Sequence, residues 1–378
     1  MELRRPRWLD GDTSFLMAVA LLIALGLIFL SSASAPLAYE RFGSRSYYLW
    51  HQVYSGIIPG CILFFFFSRI RHEVLEKLAI PIFVIGVALL LLLFIPGFGL
   101  SLGGSRSWLN LRVATFQPSE LVKIGLILAF AAWATTRRPS WFHIKSWTFG
   151  FLPFLAVLGV VLGLIVLQPD VGTLGILACI GVVMAFVAGI RWHHLGVLIL
   201  GGFGMLVALI AAAPYRLARL TAFLHPELDP QGIGYQVNQA LLAVGSGGWF
   251  GLGLGHSRQK FAFLPEVISD SIFAVIAEEI GFFFSLALLV LIAYIIWRVL
   301  RAAFDASDEF DRLILVGIAA WWGVQTFVNI GAMVGLMPIT GLPLPFVSYG
   351  GSALAVGMAA VGIVNNLTRE RVSSYRRR

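Results

Sequence analysis

The chain has 378 residues, of which 59% are hydrophobic and 12% charged, and its mean hydropathy is +0.88. These figures lie outside the range of soluble domains and exclude both a water-soluble enzyme and a disordered chain. The net charge of +8 would suggest nucleic acid in a soluble protein, but here it follows from membrane topology, and no nucleic-acid partner is expected.

Apolar runs long enough to cross a bilayer recur along the whole chain. They predict ten transmembrane helices, at about 14–34, 53–68, 78–97, 119–135, 149–167, 172–190, 194–213, 270–300, 313–337 and 346–367. The expectation is an all-α polytopic membrane protein, one unit over residues 1–378. Ala33-Ser34-Ala35 follows the first run, whose length nevertheless suits a retained helix better than a cleaved signal. With the N-terminus cytoplasmic, inner segments hold 18 of the 27 Lys and Arg, outer segments hold eight, and Lys123 lies within a span. That bias places both termini in the cytoplasm. Cys61 and Cys179 each fall inside a span and read as small apolar fillers.

Polar clusters gather on the outer side. Gly103-Gly104-Ser105-Arg106-Ser107-Trp108 leads to Phe116-Gln117-Pro118-Ser119-Glu120-Leu121-Val122-Lys123. Glu120 and Lys123, three residues apart on one helix face, form either a stiffening ion pair or a functional pair that meets an anionic headgroup. Gln168-Pro169-Asp170-Val171-Gly172-Thr173 makes a tight outer turn. One long extracytoplasmic loop, about 214–269, is rich in Gly, Pro and charge, and loops of that length are usually functional. Within it, Tyr235 to Val244 has helical apolar spacing. Gly251-Leu252-Gly253-Leu254-Gly255 reads either as a phosphate cradle or as a close-packing device. Arg106, Arg216, Arg219, Arg258 and Lys260 form a basic outer set, suited to lipid headgroups or to a diphosphate.

Asp270 follows, where the loop turns into a span. A carboxylate costs about 2.5–3.5 kcal/mol at mid-membrane, so one held at the edge requires a reason. It reads as a helix cap or as a reactive group. Glu278 and Glu279 lie about 12 Å deeper at ~1.5 Å per residue and cannot join it in one tight cluster. Ser348 sits in Pro343-Leu344-Pro345-Phe346-Val347-Ser348-Tyr349-Gly350-Gly351-Ser352, which opens the last span. Walker-lysine, nucleophile-elbow and dinucleotide motifs are absent, so any substrate is expected to carry its own activation.

In this order the segments resemble the SEDS family, the peptidoglycan glycosyltransferases exemplified by FtsW and RodA, over nearly the whole chain. Ser257-Arg258-Gln259-Lys260-Phe261 looks closer to FtsW. The resemblance implies polymerisation of lipid II outside the bacterial cytoplasmic membrane, with a class B penicillin-binding protein, divisome proteins and membrane lipids as partners. It carries the catalytic-carboxylate role onto Asp270. The substrate-binding set then comprises Glu120, Lys123, Arg106, Gln117, Ser119, Arg258, Lys260 and Ser348. An inverting transfer is expected, with Asp270 as general base, no organic cofactor, and a divalent cation (Mg or Mn) as an option for the leaving group. Three positions depart from the family pattern. Ile268-Ser269-Asp270-Ser271 stands for His-Thr-Asp-Phe, Trp50-His51-Gln52 stands for Lys-Arg-Gln, and Ser107 stands for an Arg beside the outer Trp. The rival readings are a lipid II flippase using Glu120, Lys123, Glu278 and Glu279, a RodA-type side-wall polymerase, and a structural subunit that positions a transpeptidase.

Overall fold

A computed structural model describes residues 12–102, 105–110, 115–135, 146–228, 232–261 and 263–375. The helices are α1 (Thr13–Phe42), α2 (Tyr47–Arg69), α3 (His72–Leu92), α4 (Pro118–Thr135), α5 (Trp147–Val166), α6 (Val171–Val187), α7 (Trp192–Ala211), α8 (Pro214–Leu224), α9 (Ile233–Ser246), α10 (Ile272–Phe304), α11 (Glu309–Met333) and α12 (Gly351–Tyr375). Nine of these, among the described residues, are long and apolar enough to cross a membrane. The sixth expected span corresponds to α6, which is apolar but has only 17 residues. Arg4, Arg5, Arg7, Arg112, Arg137, Arg138, Lys145 and Arg376 to Arg378, all used in the orientation argument, lie outside the described residues, as do Gly103 and Gly104.

Caps fix several ends. The Asp12 carboxylate accepts from the Phe15 backbone N–H at 3.1 Å and starts α1, and Gly43, at φ +67°, ends it. The Gln168–Thr173 turn is a cap as well: Asp170 accepts from the Thr173 backbone N–H at 2.9 Å and from its hydroxyl at 2.7 Å. Between α3 and α4 a small antiparallel sheet, β1 (Gly99–Leu102), β2 (Ser105–Asn110) and β3 (Thr115–Phe116), carries the chain across, with Leu100 opposite Trp108 and Leu109 opposite Phe116.

Small residues set the helix contacts, because without a hydrophobic drive inside the bilayer close packing holds helices together. A Cβ at Gly125 would stand 3.0 Å from the Phe83 backbone on α3, and one at Gly362 would stand 2.6 Å from the Phe64 carbonyl on α2. The best-covered spans are α4, α11 and α12, with 78%, 72% and 83% of their apolar stretch buried, against 11% for α7. Every residue that meets Lys123 or the backbone of Asp270 is drawn from this centre or from the loops laid over it.

The long loop expected over 214–269 is largely structured, and the helical spacing read over Tyr235 to Val244 is met by α9. It contains α8, a 3₁₀ turn (Pro226–Leu228) and α9, and only the stretch after α9 is irregular. That stretch plugs a break in α10. Gly281 has φ +74°, so the helix is interrupted there and four backbone groups lose their helical partners. The glycine segment supplies replacements. The N–H groups of Leu252 and Gly253 donate to the carbonyls of Glu278 and Glu279, while those of Phe282 and Phe283 donate to the carbonyls of Gly248 and Trp249. A Cβ on Gly281 would lie 2.2 Å from the Gly251 nitrogen. The glycine run therefore serves close backbone packing, and the Leu252 and Gly253 donors are committed to the helix rather than to a phosphate.

Candidate active site

The site is built along one face of α11. Trp321, Gln325 and Asn329 recur every four residues, so their side chains stack on one stripe about 6 Å apart at ~1.5 Å per residue. At the first level, Lys123 is fully buried. Its Nζ donates to Glu120 Oε1 at 2.8 Å and to Gln325 Oε1 at 3.1 Å, and it sits 5.0 Å from the centre of the Trp321 ring. The indole Nε1 donates to the same Gln325 oxygen at 2.8 Å, and Gln325 Nε2 donates to the Pro343 carbonyl at 2.8 Å. Glu120 Oε2 is buried without a protein partner and faces a cavity of about 20 Å³ also lined by Gln325 and Ser348, room for roughly one water.

One turn along, Asn329 Nδ2 donates to the carbonyls of Asp270, at 2.8 Å, and of Leu342, at 2.7 Å. Ser348 completes this clamp. Its hydroxyl donates to the Ser269 carbonyl at 2.5 Å and accepts from the Leu344 N–H at 2.8 Å, while the Tyr349 N–H donates to the Ile268 carbonyl at 2.8 Å. The carbonyls from Ile268 to Asp270 are thus tied to the 342–349 loop, the last of them through Asn329. Two residues of the clamp, Glu266 at φ +53° and Phe346 at φ +64°, occupy the left-handed region that non-glycine residues rarely adopt. Such backbone persists only where the surroundings impose it.

The Asp270 carboxyl itself is less well served. Ser271 takes the N-cap position of α10 without a side-chain capping bond, and Asp270 precedes it, so helix capping does not account for the carboxylate. The Ser271 hydroxyl lies 3.5 Å from Asp270 Oδ1 and accepts from Gln236 Nε2 at 3.0 Å. Burial, reinforced by the nearby Glu266 charge, pushes the Asp270 carboxyl up to about 7; hydrogen bonds from its backbone and Gln236, and the Arg219 charge, oppose that rise. A buried carboxyl titrating near neutrality is suited to general-base work.

The other expected residues take different places. Lys260 is buried: its Nζ donates to Glu279 Oε1 at 2.7 Å and to the Ser32 hydroxyl at 3.1 Å. Ser32 donates in turn to both Glu279 oxygens. Glu278 accepts from the Ser257 hydroxyl at 2.5 Å and from the N–H groups of Arg258, at 3.0 Å, and Gln259, at 3.3 Å. Glu120, Lys123, Glu278 and Glu279, the charges on which a translocation path would draw, all have partners within the chain. The Arg258 side chain is exposed. Arg106 reaches the Ile95 carbonyl at the end of α3, at 3.1 Å. The Gln117 N–H donates to Ser352 Oγ at 3.1 Å, and Ser119 is buried against the protein interior.

The departures from the family pattern also find partners. His51 Nδ1 lies 2.8 Å from the Tyr349 hydroxyl, and Ser107 is buried in contact with Ser105. Residues that the sequence reading did not single out, Gln236, Trp321, Gln325 and Asn329, do much of the positioning. The polar i, i+4 pair Gln325–Asn329 inside an apolar span was the available signal for two of them. Among the described residues, one group of three metal-type ligands lies close together, His72, Asp308 and Asp311, within 4.8 Å of one another. It sits at the opposite end of α11 from Asn329.

Comparison with known proteins agrees over almost the full length. The model of the FtsW/RodA/SpoVE family, described as cell cycle protein, matches residues 12–373. Stage V sporulation protein E of Bacillus subtilis is 39% identical over 359 residues, 95% of this chain and 97% of that protein. A probable peptidoglycan glycosyltransferase FtsW of Trichlorobacter lovleyi is 37% identical over 372 residues, 97% of this chain and 95% of that protein. A chain solved in a study of polymerization and crosslinking by a peptidoglycan synthase complex superposes with a TM-score of 0.77 at 32% identity, covering 96% of this chain and 99% of that one. With its buried Lys123–Glu120 pair, its clamped Asp270 and its multi-pass helical architecture, this chain belongs to the FtsW/RodA/SpoVE family.

Proposed function

We propose that this chain is a peptidoglycan glycosyltransferase of the division type. It polymerises lipid II into β-1,4-linked glycan at the outer face of the bacterial cytoplasmic membrane, with both termini in the cytoplasm. Family membership and the glycosyltransferase names of relatives 35–40% identical support the activity. The observation that carries the mechanism is the clamp on Asp270: the three carbonyls of Ile268, Ser269 and Asp270 are fixed while the carboxyl itself is left with weak partners.

In the inverting transfer, the acceptor 4-hydroxyl gives its proton to the Asp270 carboxylate as its oxygen forms a bond to the donor's anomeric carbon. The bond from that carbon to the diphosphate breaks on the opposite face, the electron pair leaves with the diphosphate, and an α linkage becomes β. Positive charge must meet the departing diphosphate. Lys123 and Lys260 are neutralised by Glu120 and Glu279, so we assign this role to the exposed Arg219, whose charge acts on Asp270, and to Arg258. A divalent cation, Mg²⁺ or Mn²⁺, would be held by the exposed Glu266 carboxylate and substrate phosphates, oxygen ligands of the kind such ions prefer. When bound, it would supply further charge to the diphosphate. Lipid II reaches the site from the bilayer, and a class B penicillin-binding protein and divisome proteins are the partners; similarity to a chain of a peptidoglycan synthase complex supports the former.

The deciding experiment is lipid II polymerisation by purified protein. Asp270→Asn should lower turnover by about 10²- to 10⁴-fold, the range for losing a positioned general base, with its melting temperature kept. A folded Asp270→Asn protein that polymerises at the wild-type rate would remove the general-base assignment.

A further inference from the structure

The 30-residue α1 is about 45 Å long at ~1.5 Å per residue, well beyond the ~30 Å hydrocarbon layer. Glu40 and Arg41 near its C-terminal end set its last turns at or beyond the edge of the lipid tails, where charge is tolerated. Between Pro36–Arg41 on those turns and the Lys260–Ile268 segment lies a cavity of about 570 Å³, within the usual ~300–1,000 Å³ of small-ligand sites. Tyr39 and Phe261 line it and remain 61% and 56% exposed. Arg45 packs 5.7 Å from the centre of the Tyr39 ring, which covers one face and leaves the other. The charged lining is Glu40, Arg41, Lys260 and Glu266.

Charge decides the ligand class. Lys260 is already neutralised by Glu279, and Arg41 with Arg45 on the Tyr39 ring balances Glu40 and Glu266, so the cavity carries no net charge. A lining without net positive charge gives a diphosphate no counter-charge to repay its desolvation. Height above the hydrocarbon argues against a lipid tail. What remains is an uncharged ligand with many donors. Sugar hydroxyls and acetamido N–H groups donate to carboxylates, and the C–H faces of pyranose rings lie against aromatic rings. The same wall segment runs on, two residues past Ile268, into Asp270.

We propose that this cavity is a saccharide subsite that holds sugar units of the nascent strand, an N-acetylated amino-sugar oligosaccharide, beyond the reacting centre. The assignment rests on the glycosyltransferase reading above. A polymerase that retains its product here adds several units before release, so losing the subsite shortens strands more than it slows lipid II consumption.

The test measures strand length and lipid II consumption for the full chain with Tyr39→Ala and Glu40→Gln, together with saturation-transfer NMR of the soluble N-acetylglucosamine tetramer. The expected result is a mean strand length reduced several-fold, a smaller fall in consumption, and tetramer contacts seen for wild type and lost in Tyr39→Ala. Wild-type strand lengths in both folded variants would overturn the subsite, and so would strand length and rate falling in equal proportion. If a variant does not fold, the tetramer experiment on the wild type decides, and absence of transfer overturns the proposal. A wild-type protein that makes no polymer at all refutes the glycosyltransferase reading instead, while the tetramer measurement still reports on the cavity.

Discussion

Two acidic sites lie within ten residues on one stretch of chain and are treated in opposite ways. Glu278 and Glu279 have their carboxylates fully engaged, by a hydroxyl and two backbone N–H groups in one case and by Lys260 and Ser32 in the other. At Asp270 the engagement falls on the backbone, and the carboxylate keeps only a 3.5 Å contact with Ser271 and the influence of Gln236. Satisfied buried charges fix a structure. A buried carboxyl whose frame is firmly held, but whose own oxygens have only weak partners, is available for chemistry. The first pair anchors the plug in the broken helix; the second group faces the reaction.

The contrast breaks most visibly at the anchoring site. Lys260→Met leaves Glu279 buried without its cation, which should cost about 3–5 kcal/mol and show as a large drop in melting temperature in detergent. Adding Glu279→Met should restore most of that loss, because replacing both members of a buried pair by apolar groups is often neutral. A Lys260→Met protein that melts like wild type would mean that Ser32 alone satisfies Glu279 and that no real anchor exists here.

Ser348 offers a sharper and smaller effect. Replacing it with Ala orphans the Leu344 N–H and the Ser269 carbonyl, a loss of about 1–3 kcal/mol. If the hydroxyl positions Asp270, kcat falls while KM for lipid II holds. If it contacts substrate, as its place in the sequence suggested, KM rises first. Steady-state kinetics on Ser348→Ala separates the two.

Much of the architecture was legible because hydropathy along a chain reports directly on spans: the expected 119–135 and 149–167 match α4 and α5 closely. The break in α10 was not, since a single glycine in a span carries no directional signal, and Glu278 and Glu279 just before it read as polar partners for other helices. Asp270 stood out by position, and the family resemblance gave it a role. Its supports did not stand out, because they come from distant parts of the chain: Asn329 is 59 residues away and the Ser348–Ser269 contact spans 79. Pairing was the commonest surprise. Lys260 read as a free outer cation, and only the fold brings Glu279 and Ser32 to it. The glycine run read as a weak phosphate signal, and only the helix break reveals what its N–H groups meet.

The smallest effect probes the reactive side of the comparison most directly. Asp270 accepts a proton only when ionised, so with its carboxyl raised to about 7, kcat/KM should fall as pH drops through neutrality. Stability carries the opposite slope. The folded state binds more protons than the unfolded one between about 4 and 7, so ionising Asp270 lowers stability as pH rises through that window. Asp270→Asn has no such proton to lose and should not show this decline. Glu266 raises the carboxyl and Arg219 lowers it, so Glu266→Gln should move the acid limb of the rate profile to lower pH and Arg219→Gln should move it to higher pH. Both side chains are exposed, so both shifts should shrink as salt is added. Limbs that stay put in both variants would mean that burial alone sets the Asp270 carboxyl, and the electrostatic half of the contrast with Glu278 and Glu279 would fall away.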